Sequence, residues 1–393
     1  VGGVVRDLLL HRHHQDPWRG LPDLDLVLEG PAADLVQRLP AALEHQFGRP
    51  VPIREQHHGR YGTAELELEL PPECGGIWLL DVASARQESY PQPGVNPVVS
   101  PGSLEQDLAR RDFTVNAMAL VLNPSGEGGG AELELLDPFG GQADLARRQL
   151  RFLHPQSLRD DPTRLLRAAR YAARLAFDFA PEALDQVRAT LLAWPWDWRL
   201  GDDPAQAPPA LGTRLRMELE LLLQREPWSV ALGFLVEWGG LVLFDSGLQH
   251  DPSWRRRLHS ARRFRVPLIN VLVASATMPL LLAQRLQLPH HTLRVLTGLE
   301  DLKQRLEQIS PRRYLPSFWV TVLEAPGVTL DVVGLALVCG LKPRRPLLQW
   351  LLQWRHVKSR LTAQQLMEIE GLAPGPDLGR RLAELRFQQL DQS

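Results

Sequence analysis

The sequence predicts an α+β chain, with a small mixed or antiparallel sheet in its N-terminal part and only helices beyond. Three observations carry this. Residues 64–70 alternate strictly: Ala64, Leu66, Leu68 and Leu70 point one way and Glu65, Glu67 and Glu69 the other, the period of a half-buried strand. Two more runs, Asp23-Leu24-Asp25-Leu26-Val27-Leu28 and Ile77-Trp78-Leu79-Leu80-Asp81-Val82-Ala83, read as strands. From about residue 180 onward the apolar spacing is helical throughout.

With 393 residues the chain is long enough for several packed units. Its 44% hydrophobic and 23% charged content is ordinary for a soluble globular protein. A formal net charge of −2 announces no global affinity for nucleic acid, so any such role rests on local basic patches. Two cysteines, Cys74 and Cys339, give no disulfide framework and no thiolate zinc site, and fit a reducing, cytoplasmic setting. No apolar run approaches the roughly 20 residues of a membrane span, and no signal peptide is seen. The sequence opens at Val1 without Met, which suggests that a short opening segment precedes it.

In order along the chain, Gly2-Gly3 precedes a short helical stretch with Leu8, Leu9 and Leu10 on its apolar side. Glycines let backbone approach a ligand closely, and the N–H groups at a helix start favour an anion. Arg6 falls in the first turns, within reach of a phosphate. Residues 11–22 read as a loop holding His11, His13 and His14; a solvated loop suits them better than a metal site, since no spaced partner ligands accompany them. Asp23 and Asp25 point the same way from one strand. Two such carboxylates repel unless a cation lies between them, and magnesium shared with phosphate oxygens is the usual answer. Glycine turn and aspartate pair together describe a phosphoryl-transfer site.

Residues 32–47 follow as a helix through Leu35, Leu39, Ala42, Leu43 and Phe47. The run at 77–83 is apolar on both sides until Asp81. A carboxylate in a buried strand is costly unless paired or metal-bound. An antiparallel neighbour carrying Asp23 and Asp25 would complete a three-carboxylate site; otherwise Asp81 is a strand-end residue facing water. In Arg110-Arg111-Asp112-Phe113-Thr114-Val115-Asn116, the arginines suit a triphosphate and Asp112 and Asn116 suit ribose hydroxyls, unless the arginines merely decorate a solvated helix. Gly126–Gly130 reads as a loop tip, residues 133–136 as the last strand of the sheet, and Gly140-Gly141 as a structural turn before a helix over 143–148. A helix then starts at Pro162, capped by Asp161. Asp161, Arg164, Arg167 and Arg170 recur every third residue and form a ridge along it.

Two basic groups stand out later: Arg255, Arg256, Arg257, Arg262, Arg263 and Arg265, then Lys342, Arg344, Arg345, Arg355, Lys358 and Arg360 with Trp350 and Trp354 nearby. They suit an RNA backbone or simply a solvated face. His250-Asp251 invites comparison with a metal phosphohydrolase, but the further ligands such a site needs are not evident.

Taken together, these stretches resemble the class II tRNA nucleotidyltransferase and bacterial poly(A) polymerase family. The resemblance rests on Gly-Gly-Val-Val-Arg-Asp at 2–7, Asp-Leu-Asp at 23–25, Asp81 with Arg86, and Arg-Arg-Asp-Phe-Thr-Val-Asn-Ala at 110–117. It continues in Asp137 with Gly140-Gly141 and Asp144-Leu145, and in Asp-Asp-Pro-Thr-Arg-Leu-Leu-Arg-Ala-Ala-Arg-Tyr at 160–171. It is specific over residues 1–178, and a weaker likeness returns between Leu366 and Leu382. Three departures are Asp160 where glutamate is usual, a longer segment between Arg6 and Asp23, and Ala363 where glycine is usual.

The resemblance implies a nucleotidyltransferase head over 1–150, a helical nucleotide-selecting neck over 151–200, a helical body over 201–340 and an RNA-binding tail over 341–393. It implies Mg2+ held by Asp23 and Asp25, with Asp81 as a third catalytic carboxylate. Gly2, Gly3, Arg6, Arg111, Asp112 and Asn116 would bind the nucleotide, with Asp161, Arg164, Arg167 and Arg170 selecting its base. An aspartate only accepts and an arginine only donates, so an Asp161/Arg164 pair fits the amino-donor and ring-acceptor edge shared by cytosine and adenine, and mismatches uracil and guanine. The implied substrates are CTP, ATP and the 3′ end of a tRNA acceptor stem, without a template. Products left open are the CCA end, CC alone, A alone with a separate CC-adding enzyme as partner, and poly(A). The long segment from Tyr90 to Gln106 leans away from CC alone, because the family keeps there a loop needed for A addition. A non-catalytic RNA-binding relative is the reading from another class.

Overall fold

The computed structural model describes residues 1–18, 20, 23–58, 62–124, 131–310 and 314–392. The expected loop tip at Gly126–Gly130 lies outside the described residues. Helix α1 (Gly3–His14) is followed by β1 (Leu24–Leu28), α2 (Ala32–Phe47), β2 (Ile53–His58), β3 (Thr63–Glu69) and β4 (Ile77–Ser84). These four strands form one mixed sheet in the order β1-β4-β3-β2. Ala64, Leu66, Leu68, Leu80 and Val82 face inward and meet Ala32 and Val36 of α2 in a common core. The alternation read in 64–70 is thus the inner and outer face of β3.

Two expectations about this sheet are corrected. Strand β1 pairs with β4 in parallel, not antiparallel, with Asp25 opposite Asp81. The chain crosses over through α2 between β1 and the hairpin, as a parallel pair requires. And β4 is not buried on both faces: Ile77 is 65% and Leu79 42% exposed. Asp81 shares that open face, so its charge is solvated and carries no burial penalty of the kind expected from the apolar run.

Next come β5 (Arg86–Ser89) and β6 (Val98–Pro101), an antiparallel pair, then α3 (Leu104–Ala109), which opens on a Ser103/Gln106 capping box. Strands β7 (Ala119–Pro124) and β8 (Ala131–Leu136) form their own ladder, so residues 133–136 do not close the main sheet. Helix α4 (Gly141–Arg147) begins where Gly140 takes φ 72° and where a Cβ on Gly141 would stand 2.5 Å from the Thr114 carbonyl. The structural reading of this glycine pair follows from that contact. Short β9 (Gln149–Leu150), α5 (Ser157–Asp160), α6 (Thr163–Leu175), β10 (Asp178–Phe179), α7 (Pro181–Ala193), α8 (Thr213–Arg225) and α9 (Trp228–Glu237) follow.

The chain divides into two compact units. The first is Val1–Arg199 with Pro208–Gly240; the second is Leu200–Ala207 with Leu241–Ser393. Within the second unit run α10 (Ser246–Gln249), α11 (Trp254–Phe264), α12 (Leu268–Ala274), α13 (Pro279–Arg285), α14 (His290–Glu307), α15 (Pro316–Leu323), α16 (Leu330–Cys339), α17 (Arg344–Leu352), α18 (Ala363–Glu370) and α19 (Pro376–Gln392). Its basic residues Arg255, Arg256, Arg262, Arg263, Lys342, Arg344, Arg345, Arg355, Lys358 and Arg360 are exposed. Trp350 and Trp354 are not: they are 6% and 8% exposed core residues, and Trp350 donates to Glu324 Oε1 at 3.1 Å. Asp251 pairs with Arg257 and His250 caps a carbonyl, Ser246 O, at 3.0 Å. No helix among the described residues is long and apolar enough to cross a membrane.

Candidate active site

A cleft of about 870 Å³ opens within the first unit. One end is built by α1, β1 and β4. Asp23, Asp25 and Asp81 all line it. Gly2 holds φ 72°, and a Cβ there would lie 2.6 Å from Arg111 Nη1 and 3.5 Å from Asp25 Oδ2. Only glycine lets the backbone pass between a guanidinium and a carboxylate at that distance. Burial pushes the Asp25 carboxyl above its ordinary range, against the opposing pull of Arg111. Asp23 is exposed.

Arg6, 3% exposed, is fixed by Asp7 Oδ1 at 2.8 Å and Asn116 Oδ1 at 2.6 Å, and its guanidinium lies over the Tyr171 ring at 5.3 Å. Helix α1 continues through His14, so His11, His13 and His14 end a helix instead of lying in a loop. Gln15 turns the chain in the left-handed region, and His11 Nδ1 sits 2.9 Å from the Asp16 carbonyl.

The middle of the cleft belongs to the segment after α3. Arg111 reaches Asp107 Oδ2 at 3.2 Å. Arg110 binds Asp107 at 2.7 Å and Glu88 at 3.0 Å, so of the two arginines Arg110 is the more tied down. Asp112 is 7% exposed. Its Oδ1 accepts from the Phe113 amide and from Asn116 Nδ2, each at 2.9 Å, and its Oδ2 from Arg167 Nε at 2.8 Å. Burial alone would raise this carboxyl; the Arg167 charge and the Asn116 hydrogen bond outweigh burial and hold it below the ordinary range.

The far end belongs to α6 and α8. Helix α6 starts at Thr163, one residue later than expected, with Pro162 at the cap position; Asp161 Oδ1 still receives the Thr163 amide at 3.0 Å. The ridge splits on inspection. Asp161, Arg164 and Arg167 line the cleft. Arg170 does not: Glu218 and Glu226 bind its guanidinium, which removes it from the expected base-reading set. Arg167 likewise carries Asp112, Glu218 at 3.1 Å and the Tyr171 hydroxyl at 3.0 Å. Arg174 binds the same Glu226.

Sequence reading missed these partners on α8 and just after it. Arg214, Met217 and Glu218 all line the cleft, and Arg214 pairs with Asp161. Their i, i+3 and i, i+4 spacing is one helix face, but nothing in it names the face that reaches residues some fifty positions earlier.

Magnesium suits the carboxylate end. Among the described residues no three His, Cys, Asp or Glu side chains form a cage for a metal by themselves. Magnesium asks for less: one or two carboxylates, with substrate phosphates and water completing the shell. Asp25, raised by burial, and Asp23 beside it supply that donor set.

A carboxylate pair on a small sheet, a glycine turn against an arginine and a guanidinium-rich far wall are the parts expected of a nucleotidyltransferase head. Comparison with known proteins agrees. Residues 1–151 match the family model described as the poly A polymerase head domain. The CC-adding tRNA nucleotidyltransferase of Deinococcus radiodurans is 42% identical over 243 residues, 62% of this chain and 54% of that protein. The A-adding tRNA nucleotidyltransferase of Aquifex aeolicus is 43% identical over 178 residues, 45% of this chain and 18% of that protein. The chain thus spans no more than about half the length of these relatives. Among solved structures, a CCA-adding enzyme in an apo form superimposes with TM-score 0.71 at 24% identity, covering 100% of this chain and 87% of that one. The Thermotoga maritima CCA-adding enzyme complexed with tRNA gives 0.65 at 24%, with the same coverage. At this identity the likeness is one of fold, and the fold is that of CCA-adding enzymes.

Proposed function

We propose that the protein adds C, A or both from CTP and ATP to the 3′ end of tRNA, without a template and with magnesium. The observation that carries this is the grouping, in one cleft, of Asp23 and Asp25 with Arg111 at one end and of Asp161 with Arg164 at the other. The relatives named as A-adding and CC-adding enzymes support the same reading.

In this reading the Gly2-Gly3 turn and Arg111 receive the triphosphate, while the Arg6–Asn116–Asp112 chain holds the sugar-facing wall. Asp161 and Arg164 read the base edge. Asp23 and Asp25 would hold magnesium, with Asp81 beside them. When bound, magnesium lowers the pKa of the attacking 3′-hydroxyl and stabilises the charge on the phosphorus centre and the departing pyrophosphate. The cytoplasm is the expected setting.

The test is incorporation of labelled CTP or ATP, with magnesium, into tRNA transcripts lacking CCA, ending in C and ending in CC. Stepwise addition that stops after C, C and A marks a complete CCA enzyme, and addition of C only marks a CC enzyme. Label from ATP solely on the CC-ended transcript marks an A-adder working beside a separate CC-adding enzyme. Long A tails on any RNA would mark a poly(A) polymerase. No incorporation on any transcript would leave the non-catalytic RNA-binding reading.

A further inference from the structure

The base-reading end of the cleft contains a residue that none of the sequence motifs includes. Arg214, in the first turn of α8, lines the cleft and donates through Nη2 to Asp161 Oδ2. Asp161 is 6% exposed, and its Oδ1 already accepts from both the amide and the hydroxyl of Thr163, at 3.0 and 2.6 Å. A carboxylate oxygen offers about two acceptor places, so Oδ1 is filled and Oδ2 keeps one. The donors are in the opposite condition. Arg164 is 4% exposed; its Nη2 donates to the Arg110 carbonyl at 3.0 Å, but its buried Nη1 has no hydrogen-bond partner. The buried Nη1 of Arg214 also has none. Buried donors without acceptors are uncommon and costly, and here two belong to side chains that line the same cleft as one open acceptor place.

We propose that Arg214 is a specificity-determining residue and that this end of the cleft is built for cytosine ahead of adenine. The proposal rests on the function proposed above and narrows its product. Cytosine presents an amino donor, the N3 acceptor and the O2 acceptor along one edge. These three groups match the open place on Asp161 and the two unpartnered guanidinium nitrogens. Adenine presents an amino donor and N1, then a C–H, so one guanidinium stays unmatched. Uracil sets a carbonyl against Asp161, and guanine turns N–H groups toward the arginines. Arg214 acts twice: it leaves Asp161 a single acceptor place, and it supplies the third matching group. Without it Arg164 alone donates, and cytosine and adenine are matched equally.

The test is calorimetric binding of CTP and of ATP to the full chain, alongside incorporation of each into tRNA lacking CCA. The native protein is expected to bind CTP at least about tenfold more tightly than ATP, the effect of one unmatched buried donor. Arg214→Gln should bring that ratio close to one by weakening CTP more than ATP. Arg214→Lys, which keeps a positive charge beside Asp161 but not the forked donor, should also lose most of the preference. Equal or tighter binding of ATP by the native protein would overturn the proposal, as would a variant that weakens both nucleotides alike. If thermal melting shows that Arg214→Gln does not fold, Arg214→Lys decides. Binding is read without turnover. A protein that binds CTP selectively yet incorporates nothing therefore refutes the proposed reaction while upholding the role of Arg214.

Discussion

The two ends of the cleft differ in how their charges are balanced. At the carboxylate end, Asp23 and Asp81 are exposed, and Asp25 is held above its ordinary pKa by burial that Arg111 only partly offsets. At the arginine end, Asp112, Arg167, Glu218, Arg170 and Glu226 alternate in sign and bind one another almost completely. The first end is short of positive charge and suits a cation arriving with a substrate. In the second, this chain of pairs is complete before any substrate arrives and preorganises the wall behind Asp161, Arg164 and Arg214, whose remaining open places face the ligand in the proposed reading. The carboxylate end is thus open, whereas the wall behind the arginine end is held by a closed chain of ion pairs.

The sharpest way to break this contrast is Asp25→Ala. It should reduce incorporation roughly a thousandfold or more, because the proposed metal seat would be lost. Nucleotide binding in the absence of turnover and the melting temperature should change little, which a paired calorimetric and thermal measurement would check. Arg167→Ala attacks the closed chain of pairs instead. It takes from Asp112 its cation and from Glu218 one of two, Arg170 remaining, and these side chains are 7% and 14% exposed. A loss of about 2 kcal/mol or more in stability is expected, discounted from the fully buried case because Arg167 is itself about a third exposed. Denaturant unfolding would show it as a lower midpoint.

Gly2→Ala should act at the boundary between binding and chemistry. A Cβ at 2.6 Å from Arg111 Nη1, on a backbone at φ 72°, must push the guanidinium aside. The expected outcome is a KM for nucleoside triphosphate raised roughly tenfold, with a smaller fall in kcat, as for a lost ground-state contact. The smallest effect sharpens the contrast by pH. In the metal-free protein burial raises the Asp25 carboxyl, so protons compete for it with a cation sooner than for an ordinary carboxylate and kcat/KM should fall early on acidification. Asp112, its pKa lowered, contributes stability that is present above its unfolded value and is lost only as pH falls through its lower folded value. Activity should therefore decline before the protein unfolds; coincident pH profiles of rate and melting would contradict this assignment.

Much of the carboxylate end was legible in the sequence because its parts are local. A period of two places Asp23 and Asp25 together, and a glycine pair before a helix needs no tertiary information. The partnership of β1 with β4 was placed correctly but in the wrong direction, since strand patterns do not encode orientation. The exposed Ile77 and Leu79 misled for a related reason: apolar side chains on an open sheet face look like burial when only the sequence is read. The arginine end was half legible. The three-residue spacing identified the ridge, but Glu218 and Glu226, which separate Arg170 from Arg164, sit on elements brought in by folding. In sequence they are ordinary helix-surface glutamates. Arg214 is hidden in the same way.

Gly94 ties together three stretches that are distant in sequence. Its amide donates to the Asp160 carbonyl at 3.1 Å, and its own carbonyl accepts from the Ala210 amide at 3.1 Å. It turns at φ 76°, and a Cβ would meet Trp196 and Pro208 at 3.0 and 3.1 Å. The residue just after Asp160 is Asp161, the proposed reader of the base edge, and the helix just after Ala210 carries Arg214. The loop between β5 and β6 is therefore a tiller for both: a one-residue shift in its length would be transmitted to Asp161 and Arg214 in concert. On the proposed function, insertions and deletions in this loop would then be read out as changes in nucleotide choice more than as changes in rate.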